Sequence, residues 1–154
     1  MSSITGFDGS KYVAFVSAEA HYSVLMSATV VGIGYQNLVK VACDSRGRMK
    51  PESLVEEIVR ARTNGQTPFC IIATSGTTVR GAFDPLKEIA NIAHDNNIWL
   101  HVDAAWGGSS LFSKRFRKLM DGVELADSVC WDAHKMMGMP LICSVFLTKS
   151  LSLI

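Results

Sequence analysis

The stretch Ile98-Trp99-Leu100-His101-Val102-Asp103-Ala104-Ala105-Trp106-Gly107-Gly108 carries an apolar run to an abrupt polar end. A second stretch, Ser128-Val129-Cys130-Trp131-Asp132-Ala133-His134-Lys135, does the same and finishes on a lysine. Each run is short enough for one buried strand. Each stops at ionisable residues, where such a strand delivers side chains to the rim of its sheet. In open α/β sheets that rim is where ligands sit.

Outward from these runs, apolar segments alternate with helical patterns. Strands are expected at Tyr12–Ser17, Leu38–Ala42, Phe69–Ala73, Ile98–Val102, Ser128–Trp131 and Ile142–Leu147. Four are rich in valine and isoleucine with little alternation, as in strands covered on both faces. Pro51 suits the first turn of a helix whose apolar face is Leu54, Val55, Ile58 and Val59. Leu86, Ile89, Ala90 and Ala93 form a second such face after Pro85, and residues after His21 a third helix closed by Gly32 and Gly34. This order implies right-handed crossovers and an α/β fold: a mainly parallel sheet with helices on both faces.

The bulk numbers bound the function. The chain has 154 residues, 48% hydrophobic and 19% charged, with net charge +1. That suits a soluble globular domain and gives no electrostatic case for nucleic acid or an anionic membrane. No stretch approaches the roughly 20 apolar residues of a membrane span. Cys43, Cys70, Cys130 and Cys143 form no C-x-x-C pair, and the N-terminus lacks a signal-peptide pattern, so reduced thiols in a cytoplasmic protein are expected. The chain opens just before a strand and stops at the apolar tail Leu151-Ser152-Leu153-Ile154, which suggests a piece of a larger domain.

His101 and Asp103, two apart on one strand, point to the same face. A structural ion pair or a turn-capping aspartate would account for them, but Ala104-Ala105-Trp106-Gly107-Gly108 leaves room for something flat beside the carboxylate. Lys135 would ordinarily be a solvated charge. Here it precedes Met136-Met137-Gly138-Met139-Pro140, an apolar stretch able to desolvate an amine and expose its nucleophilic form. A lysine that forms an imine and a carboxylate that holds a pyridinium nitrogen are what a pyridoxal-phosphate enzyme needs most. Thr74, in Ala73-Thr74-Ser75-Gly76-Thr77-Thr78, either caps a turn or bonds a ligand oxygen. His21 is either a helix-start histidine or an aromatic plate against a planar cofactor.

Taken together, Ser17–Val24, Ala73–Leu86 (ATSGTTVRGAFDPL), Trp99–Gly108 and Ala126–Gly138 (ADSVCWDAHKMMG), with Pro140–Lys149, resemble the group II pyridoxal-phosphate-dependent amino-acid decarboxylases. The resemblance implies the large domain of the fold-type I (aspartate aminotransferase-like) fold, with residues 1–154 an incomplete part of it. The upstream phosphate loop, the mobile catalytic loop beyond the lysine and the small C-terminal domain are absent. It implies pyridoxal 5'-phosphate as cofactor, an L-amino acid as substrate and a homodimer in the full-length form. Lys135 would form the internal aldimine, and Asp103 would pair with the pyridine nitrogen. His21 and Ala105 would pack on the two ring faces, Thr74 would contact ring substituents, and Ser128 and His134 would lie near the phosphate. Many relatives have Asn-Pro where this chain has Asp132-Ala133, which puts a negative charge near that phosphate. Trp106 and the run from Met136 to Ser144 look like the branch acting on acidic amino acids.

Three other readings remain open on the sequence. His101, Asp103, Asp132 and His134 are a candidate ligand set for a metal-dependent hydrolase, although Lys135 then has no role. A truncated decarboxylase serving as an inactive or binding subunit is the second. Another pyridoxal enzyme of the same fold is the third.

Overall fold

The computed structural model describes residues 11–150, so the tail Leu151-Ser152-Leu153-Ile154 lies outside the described residues. In chain order the elements are β1 (Tyr12–Ser17), α1 (Ser23–Val30), β2 (Leu38–Val41), α2 (Pro51–Thr63), β3 (Thr67–Thr74), α3 (Leu86–Asp95), β4 (Trp99–Asp103), β5 (Ser128–Asp132) and β6 (Ser144–Thr148). The strands form one sheet in the order β2-β1-β3-β4-β5-β6. Every neighbouring pair is parallel except β5 with β6. Segment 133–143 between those two is shorter than the dozen or so residues that a parallel crossover needs, so β6 returns antiparallel.

Alternation along β1 shows how both faces are covered. Val13 and Phe15 join Leu54 and Ile58 of α2 and Leu86, Ile89 and Ala93 of α3 in the main core. Ala14 and Val16 point the other way, into a smaller cluster with Val24, Leu25 and Ala28 of α1. Each large side chain fully buried here contributes roughly 1.5–3 kcal/mol. The mainly parallel sheet with helices on both faces is therefore as the sequence implies. Pro51 stands at the start of α2. After α1 the chain turns at Gly32 and Gly34, both at positive φ, where the amides of Ile33 and Gly34 bond back to the Ala28 carbonyl.

Two strand starts lie two residues from expectation, while the other strand boundaries agree within one residue. Strand β3 starts at Thr67, and its register against β1 slips between Val13 and Ala14, beside Pro68, which has no N–H to give the ladder. Strand β6 starts at Ser144 and not at Ile142, which is 86% exposed and packs on nothing that would hold it in a strand.

The α1 layer packs on residues of β2, β1 and β3. On the same face, β4 and β5 carry Trp99, His101, Asp103, Ser128, Cys130 and Asp132, and hydrogen bonds link several of them across the two strands. This polar half of an otherwise apolar sheet face is where the site lies.

Candidate active site

Register brings the key side chains into one row. Thr74 pairs with Asp103, and Asp103 with Cys130, at the C-terminal ends of β3, β4 and β5. Beyond that row the exit from β1 brings His21 and Ser23, and the exit from β5 brings Asp132 and Lys135. Together with Gly76, Thr78, Ala105 and Trp106 these residues enclose a cavity of about 260 Å³. A wider groove of about 540 Å³ runs past Arg46, Arg48, Lys87, Lys118, Glu88 and Asp121, a mixed-charge surface with no comparable convergence.

Asp103 is held by its surroundings. Its Oδ1 accepts the Ala105 N–H at 3.1 Å and the Cys130 thiol at 3.4 Å. Burial first, and then the charge of Asp103, push that thiol up to about 12, so it stays protonated and donates. Lys135 is half-exposed, with Nζ 3.0 Å from Asp132 Oδ2. The Asp132 carboxyl is held below its ordinary value: burial works the other way, but hydrogen bonds from Ser144 and Lys135, with the charge of Lys135, outweigh it. His21 Nδ1 accepts from Ser23, whose Oγ lies 2.8 Å away, and its ring lies 4.3 Å from that of Tyr22.

Thr74 shows that the residues suit an oxygen-bearing ring. Its N–H donates to Asp84 Oδ2 at 2.8 Å, while its hydroxyl oxygen is buried with no partner. A buried hydroxyl left unpaired is costly, and a ligand acceptor in the adjoining cavity would satisfy it. Asp84 itself is buried, taking the N–H groups of Met49 and Thr74, one on each oxygen. Burial, opposed by those two bonds, pushes its carboxyl up to about 6.

Five of the residues named from the sequence thus share the cavity: Lys135, Asp103, His21, Thr74 and Ala105. Ser128 and His134 lie off its wall. The Ser128 hydroxyl accepts from Trp99 Nε1 at 2.9 Å, since an indole only donates, and its Oγ is hydrogen-bonded to His101 Nδ1 at 2.8 Å. Burial, opposed by the charge of Asp103, lowers the pKa of the His101 ring. His134 Nδ1 takes the Cys143 N–H at 3.2 Å and so braces the β5–β6 connection.

The metal reading is corrected by this arrangement. Among the described residues no three His, Cys, Asp or Glu side chains converge as ligands. Cys130 and Ser23 are wall residues that the sequence reading did not single out. Cys130 was findable only by counting two back from Asp132 to the same strand face.

The model of the pyridoxal-dependent decarboxylase conserved domain matches residues 8–154. The chain is 49% identical over 148 residues to human acidic amino acid decarboxylase GADL1, covering 96% of this chain and 28% of that protein. It is 48% identical over 138 residues to mouse cysteine sulfinic acid decarboxylase, covering 90% of this chain and 28% of that protein. The crystal structure of mouse CSAD in apo form superposes with a TM-score of 0.91 at 46% identity, over 92% of this chain and 30% of that one. The chain therefore spans less than a third of the length of the relatives it matches. Fold, motifs and likeness agree: the chain belongs to the pyridoxal-dependent decarboxylase family.

Proposed function

We propose that this chain carries the cofactor-binding centre of a pyridoxal-phosphate-dependent carboxy-lyase acting on an acidic L-amino acid. The observation that carries the reading is that Lys135 and Asp103 line one cavity, with His21, Thr74 and Ala105 around them. The chemistry supplied by bound pyridoxal phosphate is an electron sink for the pair left on the α-carbon when carbon dioxide departs.

Lys135 would supply the amine that condenses with the cofactor's aldehyde, whose oxygen leaves as water, and Asp132, 3.0 Å away, holds that amine at the cavity wall. Asp103 keeps the proton on the ring nitrogen, a fixed negative charge where positive charge must persist as the bond breaks. His21 and Ala105, both on the cavity wall, would hold the ring between them. The Thr74 hydroxyl donates to an oxygen on the ring. Ser128 and His134, which the resemblance assigns to the phosphate, already serve His101 and Cys143, so a phosphate bond from either adds to those.

The acidic substrate is supported by the names of the two curated relatives, an acidic amino acid decarboxylase and a cysteine sulfinic acid decarboxylase. Cytoplasmic placement is supported by four free cysteines and by the absence, among described residues, of any helix long and apolar enough to cross a membrane. A larger cofactor-binding domain is supported by the small share of each relative that the chain spans. The second reading is a chain that binds cofactor without turnover.

Adding pyridoxal phosphate, recording visible absorption, reducing with borohydride and mapping the labelled peptide tests the proposal. The label is expected on Lys135; label scattered over surface lysines overturns it. Carbon dioxide release from aspartate, glutamate or cysteine sulfinate then separates the two readings.

A further inference from the structure

We propose that Cys130 is a positioning residue that, with the Ala105 amide, saturates Asp103 Oδ1 so that Oδ2 is the oxygen presented to the cofactor's ring nitrogen. The inference rests on the function proposed above and deepens it. Cys130 is the direct lateral neighbour of Asp103 across the β4–β5 ladder, on the same face and on the cavity wall. Its sulfur lies 3.4 Å from Oδ1, which also takes the Ala105 N–H at 3.1 Å. Among the described residues Oδ2 accepts no hydrogen bond.

Two donors on one oxygen, one from the neighbouring strand and one from the exit of its own strand, fix the rotation of the carboxylate about its χ2 bond. A lone aspartate there could offer either oxygen and would lose that freedom on binding. Burial keeps the thiol protonated, so the sulfur approaches the carboxylate as a donor and not as a second anion. Strongly protonated thiols are poor nucleophiles, which argues against a covalent or redox part for Cys130.

The test uses the whole chain and two probes, pyridoxal phosphate and its 1-deaza analogue, in which the ring nitrogen is replaced by C–H. Both are titrated at neutral pH, with visible absorption as the readout and borohydride labelling of Lys135 as the control. Cys130→Val keeps an apolar side chain of similar reach, about one methyl group larger, but removes the donor, and is expected to weaken capture of pyridoxal phosphate about 5- to 10-fold, the scale of one ordinary hydrogen bond. Capture of the deaza analogue is expected to be unchanged. Cys130→Ser restores most of the loss, and Cys130→Val added to Asp103→Ala weakens capture no further than Asp103→Ala alone.

Wild-type labelling at Lys135 with unchanged capture by both Cys130 variants overturns this inference and leaves the function standing. Equal losses for the two probes overturn it as well, since a purely structural cysteine would behave so. Absence of Lys135 label in the wild type overturns the function and the inference with it. Cys130→Ala and the melting temperature of each variant keep the comparison valid if one of them folds poorly.

Discussion

Asp103 and Lys135 owe their chemistry to where strands stop. An aspartate that ends a buried strand cannot retreat into solvent, and its carboxylate is fixed before any ligand arrives. Asp103→Ala is expected to weaken capture of pyridoxal phosphate about 10- to 100-fold, the loss of one charge-assisted hydrogen bond, as read by absorption titration. Carbon dioxide release by the complete enzyme is expected to vanish with it. These two residues were legible in the sequence because an ionisable group after an apolar run marks a sheet rim. Cys130 was not, since its meaning comes from the register that sets it beside Asp103. Ser128 shows the converse. It belongs to a recognisable motif, yet its hydroxyl serves Trp99 and His101 one step below the cavity.

Elements hold the rim in shape through two contacts that no single segment reveals. Asp84 ties the end of β3 to the segment before α2 by accepting the Thr74 and Met49 amides. Its carboxyl, raised from 3.8 to about 6 in the fold, favours the folded chain when protonated. That contribution is complete below about pH 4 and is lost as pH rises through 6, a change on the order of 2–3 kcal/mol. Denaturant unfolding at pH 4 and pH 7 should therefore show Asp84→Asn gaining on the wild type by about that amount as pH rises. The second contact is the approach of the β4 exit to the β3 exit. A Cβ on Gly107 would collide with the Ser75 carbonyl oxygen and come 2.6 Å from Phe83 Cε1. Gly107→Ala is expected to cost about 3 kcal/mol in unfolding free energy and to weaken cofactor capture, because the loop bearing Ala105 and Trp106 must shift. The helices at Pro51 and after Pro85 were plain in the sequence from their apolar spacing. The direction of β6 was not, because it depends on the brevity of its connection to β5.

Across the whole molecule the sheet is unevenly finished. Leu141, Ile142, Phe146 and Leu147, at and just before the edge strand β6, are 80%, 86%, 61% and 56% exposed. Among the described residues the outer edge of β6 has no partner strand, and an apolar patch beside such an edge invites association. The isolated chain is expected to sediment above its monomer mass at tens of micromolar, an order-of-magnitude working concentration. Leu141→Lys with Ile142→Lys is expected to return it toward monomer without changing its circular dichroism. The antiparallel return of β6 has a further consequence for the chemistry. Asp103 sits on a strand flanked on both sides, whereas Lys135 rides on a ribbon whose far arm is the outermost strand among the described residues. Warming is therefore expected to unseat the amine before it disturbs the acid, so that borohydride labelling of Lys135 falls at a lower temperature than the circular dichroism signal.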